Sequence, residues 1–432
     1  MSKKKKLTPE LRFPDFENDG DWAEKKISEL GITINGLTGK SGEDFGTGKS
    51  YVTYKQVFDN SIIDYQKCGK VEIDENENQN TLQKGDILYT TSSETPDEVG
   101  FASVLVDSPK EDIYLNSFCF ALRPFELEKT QPQFSRYLFH SPIYRTSVSA
   151  IAQGSTRYNL SKVAFLNLKV PIPNPQEQQK IASCLSSLDE VIAGQTQKLD
   201  LLKDHKKGLM QNLFPQEGKK VPKYRFKEFE KDGAWMLKEV DDFIDLFSGI
   251  ALKGEEICDD ESGMPILRGI NITEGYIRHS KEIDKYYLGT LEKLKRYFVK
   301  ENDIVIAMDG SKVGKNVALV GKSDENAILI QRVARIRANK KADFSFIYQF
   351  FISDNFRTYV DSVNTSSGIP HISAQQIKNY KVWFPPNIKE QQKIASCLSA
   401  LDEVITAQTE RIEELKHHKS GLMQSLFPKM IE

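Results

Sequence analysis

The chain repeats itself. Residues 177–215 read EQQKIASCLSSLDEVIAGQTQKLDLLKDHKKGLMQNLFP, and residues 390–428 read EQQKIASCLSALDEVITAQTERIEELKHHKSGLMQSLFP. Glu177 and Glu390 set an offset of 213 residues, and a second pair of segments keeps it: PELRFPDFENDGDW from Pro9 to Trp22 and PKYRFKEFEKDGAW from Pro222 to Trp235. A tandem duplication therefore fills all 432 residues, more than a single core usually organises. Whatever architecture one half adopts, the other must adopt too. A doubled chain of this kind handles something two-fold, either a pair of partners or a ligand in two parts.

Each half has two parts, and the expected fold class is α+β. Residues 1–173 and 223–386 mix short β-rich runs with shorter helical patterns, as two tandem domains of a size that one core can hold. GDILYTT, FASVLVD and NSFCFALRP read as strands in the first domain, and DIVIAM, NVALVG and ILIQRVARIRA in the second. FSRYLFHSPIYRTSVSAI and FSFIYQFFISDNFRTYVDSV show helical spacing. Residues 174–215 and 387–428 each read as one long helix, with 216–222 as the polar linker between the halves.

The long helices carry a heptad seam. Ile181, Leu185, Leu188, Ile192, Leu199, Leu202, Leu209 and Leu213 recur in steps of four and three, with Gln195 and Lys206 in the gaps. The second copy repeats the seam as Ile394, Leu398, Leu401, Ile405, Ile412, Leu415, Leu422 and Leu426, interrupted by Gln408 and Lys419. The expected packing pairs the two helices with each other as an antiparallel coiled coil. Asn174 and Asn387 stand at the cap positions with Glu177 and Glu390 three residues on, as in a capping box. Each helix of about 38 residues makes a rod of roughly 55–60 Å.

Several functions are disfavoured. The formal net charge is -2, so any basic surface must be local. The start MSKKKKLTPELRF has no apolar stretch behind its lysines and does not read as a secretory signal. No stretch approaches the ~20 apolar residues of a membrane helix. Five scattered cysteines (Cys68, Cys119, Cys184, Cys258 and Cys397) suit reduced thiols in a cytoplasmic protein. GEDFGTGKS (Gly42 to Ser50) misses the phosphate-loop spacing by one residue and has no counterpart in the second half, so a flexible glycine-rich surface loop is expected there. A nuclease-like set, Asp15 with Glu24 and Lys26, is not repeated at the matching positions of the second half. His417–His418 lies on a solvated helix face, there is no Cys-x-x-Cys pair, and no metal site is expected. IPNPQE and FPPNIK do not match the loop needed for methyl transfer to a base. No catalytic residue is assigned.

Binding remains. The candidate DNA-contacting residues are polar or basic loop positions at matching places in the two domains. Lys55 aligns at the common offset with Arg268, and Asn271 follows in the same loop. Ser92 and Ser93 follow the GDIL strand, as Ser311, Lys312 and Lys315 follow NDIV. Arg157, Tyr158 and Asn159 correspond to the stretch Ser366, Ser367, Gly368, Ile369, Pro370 and His371. Arg332, Arg335, Arg337, Lys340 and Lys341 read as a basic stripe. Such side chains donate to base edges and phosphates.

The EQQKIA-x-x-L-x-x-LDE-VI opening of each long helix, its GLMQ-x-LFP close and the RF-x-x-F-x-x-DG-x-W opener of each half resemble the DNA-specificity subunits of type I restriction-modification systems, over the whole chain. The resemblance implies two target-recognition domains, each reading one half of a split, asymmetric DNA site, with the helices holding the halves apart. At 3.4 Å per step the expected rod spans about 16–17 base pairs. It implies a non-catalytic, cytoplasmic subunit that docks two modification (methyltransferase) subunits on the seam-bearing helices and, through them, two restriction subunits. S-adenosylmethionine, ATP and Mg2+ would be bound by those partners and none by this chain. The competing expectations are a coiled-coil scaffold without DNA specificity and a stand-alone DNA-modifying enzyme.

Overall fold

The computed structural model describes residues 7–216, 218–364 and 369–429. The chain divides into two compact units, Met1–Thr196 with Glu410–Glu432, and Gln197–Thr409. The first unit thus takes two stretches of chain, and the second takes one.

In the first unit a four-stranded antiparallel sheet runs in the order Gly31–Asn35, Cys119–Pro124, Ile87–Thr90, Ala102–Val104. Ile87–Thr90 is buried along its whole length, so its sequence is a continuous run instead of an alternation. Phe45–Val52 pairs antiparallel with Gly69–Val71 and parallel with Ile113–Leu115. A ribbon joins Ala23–Lys26 to Lys169–Ile172. The second unit builds the same main sheet in the same order from Ile244–Ser248, Val333–Ala338, Ile304–Ala307 and Val317–Leu319. Its smaller sheet again contains a parallel pair, Met264–Leu267 with Ile328–Leu329, and its ribbon joins Met236–Glu239 to Lys381–Phe384.

Both main sheets bury a carboxylate at the head of a central strand. Asp86 accepts two hydrogen bonds from Arg123 (2.8 and 2.7 Å) and one from the Gln83 N–H (2.8 Å). Asp303 accepts two from Arg337 (2.6 and 2.7 Å) and one from the Lys300 N–H (2.8 Å). A carboxylate is tolerated in a core only where its oxygens find partners of this kind. The Asp of GDIL and of NDIV is therefore part of the core.

The glycine-rich stretch Gly42–Ser50 departs from the expected loop. It enters the strand Phe45–Val52 through an irregularity between Phe45 and Lys49. Gly48 has φ +92°, and a Cβ there would lie 2.5 Å from the Val71 carbonyl oxygen, so glycine serves the bulge.

The long helices span Pro175–Leu213 and Ile388–Ser425. Their N-termini explain the repeated opener. Asn174 Oδ1 accepts from the Glu177 N–H (2.8 Å), as a cap should. Glu177 itself does not close a capping box. Its carboxylate takes both Arg12 donors (2.8 and 2.7 Å) and the Trp22 indole N–H (3.1 Å), while Arg12 also donates to the Gly20 carbonyl (2.6 Å). The second copy repeats the clamp: Glu390 accepts from Arg225 (2.8 and 2.8 Å) and from Trp235 (3.3 Å), and Arg225 donates to Gly233 (2.8 Å), while Asn387 Oδ1 accepts from the Lys389 N–H (3.0 Å). Asp19 and Asp232 accept from Asn174 and Asn387 (2.8 and 2.7 Å). The RF-x-x-F-x-x-DG-x-W segment is thus a clamp on the first turn of its helix.

Every seam residue named above is buried or half-buried. In the first unit Leu426 and Phe427 join the core containing Ile181 and Leu185, and Lys419 pairs with Asp189 (2.5 Å). In the second, Leu213 joins the core containing Ile394 and Leu398, and Lys206 pairs with Asp402 (2.5 Å). Numbering rises along one segment as it falls along the other, so the two helices pack antiparallel within each unit. The lysine interrupting each seam has a dedicated carboxylate, the way a polar seam position fixes register.

A half-buried histidine packs against the edge strand of the first sheet. His140 Nε2 donates to the Ala102 carbonyl (2.6 Å), and burial pushes its pKa down to about 4. The unfolded chain binds this proton near pH 6.5 and the folded chain only near 4. Its contribution is therefore fully present above about pH 6.5 and lost as pH falls through that window, on the order of 3 kcal/mol. Equilibrium unfolding of His140→Gln between pH 7 and 4 is expected to show a shallower loss of stability than the parent. Equal slopes would contradict this.

Candidate nucleic-acid interface

The same three-segment edge occurs in both units. In the first, Thr91–Ser93 follows the central strand and is hydrogen-bonded on both sides. Thr91 donates from its N–H and its hydroxyl to the Phe118 carbonyl (3.1 and 2.8 Å). On the other side, Leu160 donates to the Thr91 carbonyl (2.8 Å), and Ser92 and Ser93 lie opposite Asn159 and Tyr158. In the second unit Met308 donates to the Arg332 carbonyl (2.9 Å), Ile372 donates to the Met308 carbonyl (2.9 Å), and Asp309 bridges to His371. Phe118 and Arg332 are therefore equivalent, as are Asn159 and His371, and two residues earlier Arg157 and Ile369.

The side chains at these equivalent places differ in kind. Phe118 is 56% and Ile369 68% exposed, and the Arg332 side chain is 65% exposed. In the first unit Arg157 reaches over the Phe118 ring, 5.8 Å from its centroid. In the second, Arg332 pairs with Asp309 (2.8 Å) from a backbone held at φ +69°. One scaffold thus presents two different surfaces.

A cleft of about 450 Å³ opens beside the first edge, between the short helix Tyr54–Asp59, the segment from Ser92 to Glu98, and Thr156–Arg157. Tyr54 donates its hydroxyl to the Ser92 carbonyl (2.6 Å), and burial raises the pKa of that hydroxyl. Ser93 donates to Glu98 (2.6 Å). Arg145 holds the chain just after Glu98: it donates to the Val99 and Gly100 carbonyls (3.0 and 3.1 Å) and stacks on Phe101.

The other candidates fall as follows. Lys55 is exposed on the Tyr54–Asp59 helix and paired with Asp59 one turn on (2.7 Å). Ser311, Lys312 and Lys315 are exposed on the turn after the second unit's central strand, and His371 is exposed beside it. Ser366, Ser367 and Gly368 lie outside the described residues.

Three expectations need correction. Asn271 is fully buried, accepting from the Arg268 N–H (3.1 Å) and donating to the Arg278 carbonyl and Asp284 (3.2 and 3.1 Å), so no group of it is left for a ligand. Arg268 is half-buried and bonded to the Ile283 carbonyl. It follows Leu267, the strand end equivalent to Val52, so it matches Thr53 and not Lys55. The basic stripe dissolves as well. Arg337 serves Asp303, and Arg335 is buried against Phe247 and Asp245 (2.6 Å), because alternate residues of Val333–Ala338 meet the neighbouring strand's acidic side chains. Phe118, Tyr54, Phe58, Glu94 and Glu98 also border this edge, with no sequence signal to single them out. An exposed aromatic in a strand-like run carries no pattern that separates it from a core one.

A profile of the type I restriction modification DNA specificity domain matches the chain twice, over residues 19–204 and 233–417. The chain is 28% identical over 297 residues to the type I restriction enzyme MjaVIII specificity subunit of Methanocaldococcus jannaschii, covering 67% of this chain and 68% of that one. It is 24% identical over 416 residues to the MjaIX specificity subunit of the same organism, covering 94% and 92%. Among solved structures, the type I restriction-modification S subunit from M. genitalium shares the fold, with a TM-score of 0.61 at 17% identity over 98% of this chain and 100% of that chain.

Proposed function

The chain belongs to the type I restriction-modification DNA specificity family, and from that membership we propose that it reads a bipartite, asymmetric double-stranded DNA site, one half-site per unit. The observation that carries the reading is the contrast between two sets of equivalent residues. The helix clamps and seams are the same in both units, while the exposed edge positions differ: Phe118 against Arg332, Asn159 against His371, Arg157 against Ile369. Identical parts suit two copies of one partner, and differing parts suit two unlike half-sites.

In this reading the edges touch bases through Ser92, Ser93, Arg157, Tyr158 and Asn159 in one unit, and Ser311 and His371 in the other. Lys55, Lys312 and Lys315 hold phosphates. Arg268, engaged by a main-chain carbonyl, positions its loop. The long helices set the spacing between half-sites and dock two modification subunits and, with them, two restriction subunits. Methyl transfer from S-adenosylmethionine and ATP- and Mg2+-dependent cleavage belong to those partners, in the cytoplasm beside the chromosome.

Replacing residues 30–170 by the corresponding segment of another specificity subunit, in the assembled complex, tests the reading. Mapping of methylated adenines is expected to show one half-site replaced and the other unchanged. Alteration of both halves, or of neither, would remove the modular claim.

A further inference from the structure

The cleft of the first unit has a chemistry that the edge alone does not. Arg157, Glu94 and Glu98 all line it, yet among the described residues Arg157 forms no ion pair with either carboxylate. Its guanidinium lies over the exposed Phe118 ring, which orients the plane without consuming the N–H donors. Glu98 is already accepting from Ser93 (2.6 Å), whereas Glu94 is exposed. The cleft therefore offers a free fork of donors beside a free acceptor.

A phosphate is a poor occupant, since two carboxylates would repel it. The fitting ligand presents acceptors and an amino donor side by side. The major-groove edge of a G·C pair does this: guanine O6 and N7 accept in a bidentate geometry that matches arginine, and cytosine N4 donates to a carboxylate. An A·T edge calls instead for the mixed donor and acceptor of an amide side chain. Resting on the DNA-reading function proposed above, we propose that this cleft reads one G·C pair of the first unit's half-site, with Arg157 on guanine and Glu94 on cytosine. The second unit has Ile369 where the first has Arg157, so the same reading is confined to one half-site.

The test uses the full chain assembled with its modification partners, carrying Arg157→Ala, Arg157→Lys or Glu94→Gln. Methylated-adenine mapping and competition between duplexes altered at single positions give the readout. The wild-type motif should hold a G·C pair within the half-site that replacement of 30–170 changes. All three substitutions should relax that same position, by roughly ten- to a hundred-fold in discrimination. The second half-site should stay intact and so report folding and assembly. Loss of affinity for every duplex alike, with discrimination at that position unchanged, would overturn the proposal, since that is how a phosphate contact behaves. Relaxation at two unrelated positions, or a motif indifferent to all three changes, would overturn it too. In those cases the bipartite motif still stands in the wild type, so the cleft assignment fails alone. A wild-type complex that methylates no bipartite motif would instead remove the DNA-reading function and this assignment with it.

Discussion

Replacing Glu177 with alanine is expected to destabilise the first unit by about 3–5 kcal/mol, the cost of leaving a buried charge without its partner. The Arg12 side chain is 7% exposed and that of Glu177 1%, so neither ion recovers its hydration when the other is lost. A guanidinium does not give up its proton in a protein, so with Glu177 gone the Arg12 charge would stay buried and uncompensated. The Trp22 indole N–H would lose its acceptor as well. Hydrogen exchange read unit by unit gives the measurement, with the intact Arg225–Glu390 clamp of the second unit as the internal reference. A loss below about 1 kcal/mol, the range of surface pairs, would show that the clamp is solvated in solution.

Phe427→Ala should cost about as much, some 3–5 kcal/mol, from the cavity left by a fully buried ring. Its centroid lies 5.9 Å from that of Trp22 and 5.7 Å from that of Phe134, and these three rings close the first core. The equivalent Phe214, packed on Trp235 and Phe346 at 6.0 and 5.7 Å, is only half-buried, so Phe214→Ala should cost less in the second unit. Denaturant unfolding followed by limited proteolysis would rank the two. Equal losses, or the larger one at Phe214, would contradict the burial difference.

What could be read from the sequence was what repeats. The seam survives as a pattern because Ile181, Leu185 and their partners must face inward every three or four residues in both copies, and the structure buries them there. The clamp left only half its trace. Asn174 and Glu177 look like a local capping box, but the carboxylate's partners, Arg12 and Trp22, lie more than 150 residues away, where spacing says nothing. The candidate site was the least legible part. Arg337 sits in a strand-like run and Arg157 in a loop, and neither pattern tells that one neutralises a buried Asp303 while the other stands over Phe118. Only the burial of the carboxylate separates them. Asn271 misled for the same reason, being a polar loop residue spent on its own main chain.

The core of the first unit includes Leu426 and Phe427. A ribosome making this chain completes the residues of that unit's first stretch at Thr196, and the remainder arrives only after the whole of the second unit's stretch. About 230 residues lie between, which at about 5–20 residues per second leaves Trp22 and Phe134 without their closing ring for roughly 10–50 s. The second unit, drawn from one unbroken stretch, has all its parts before the first unit's second stretch is made. Order of manufacture and order of folding are therefore opposed: the half translated first is the half that finishes last.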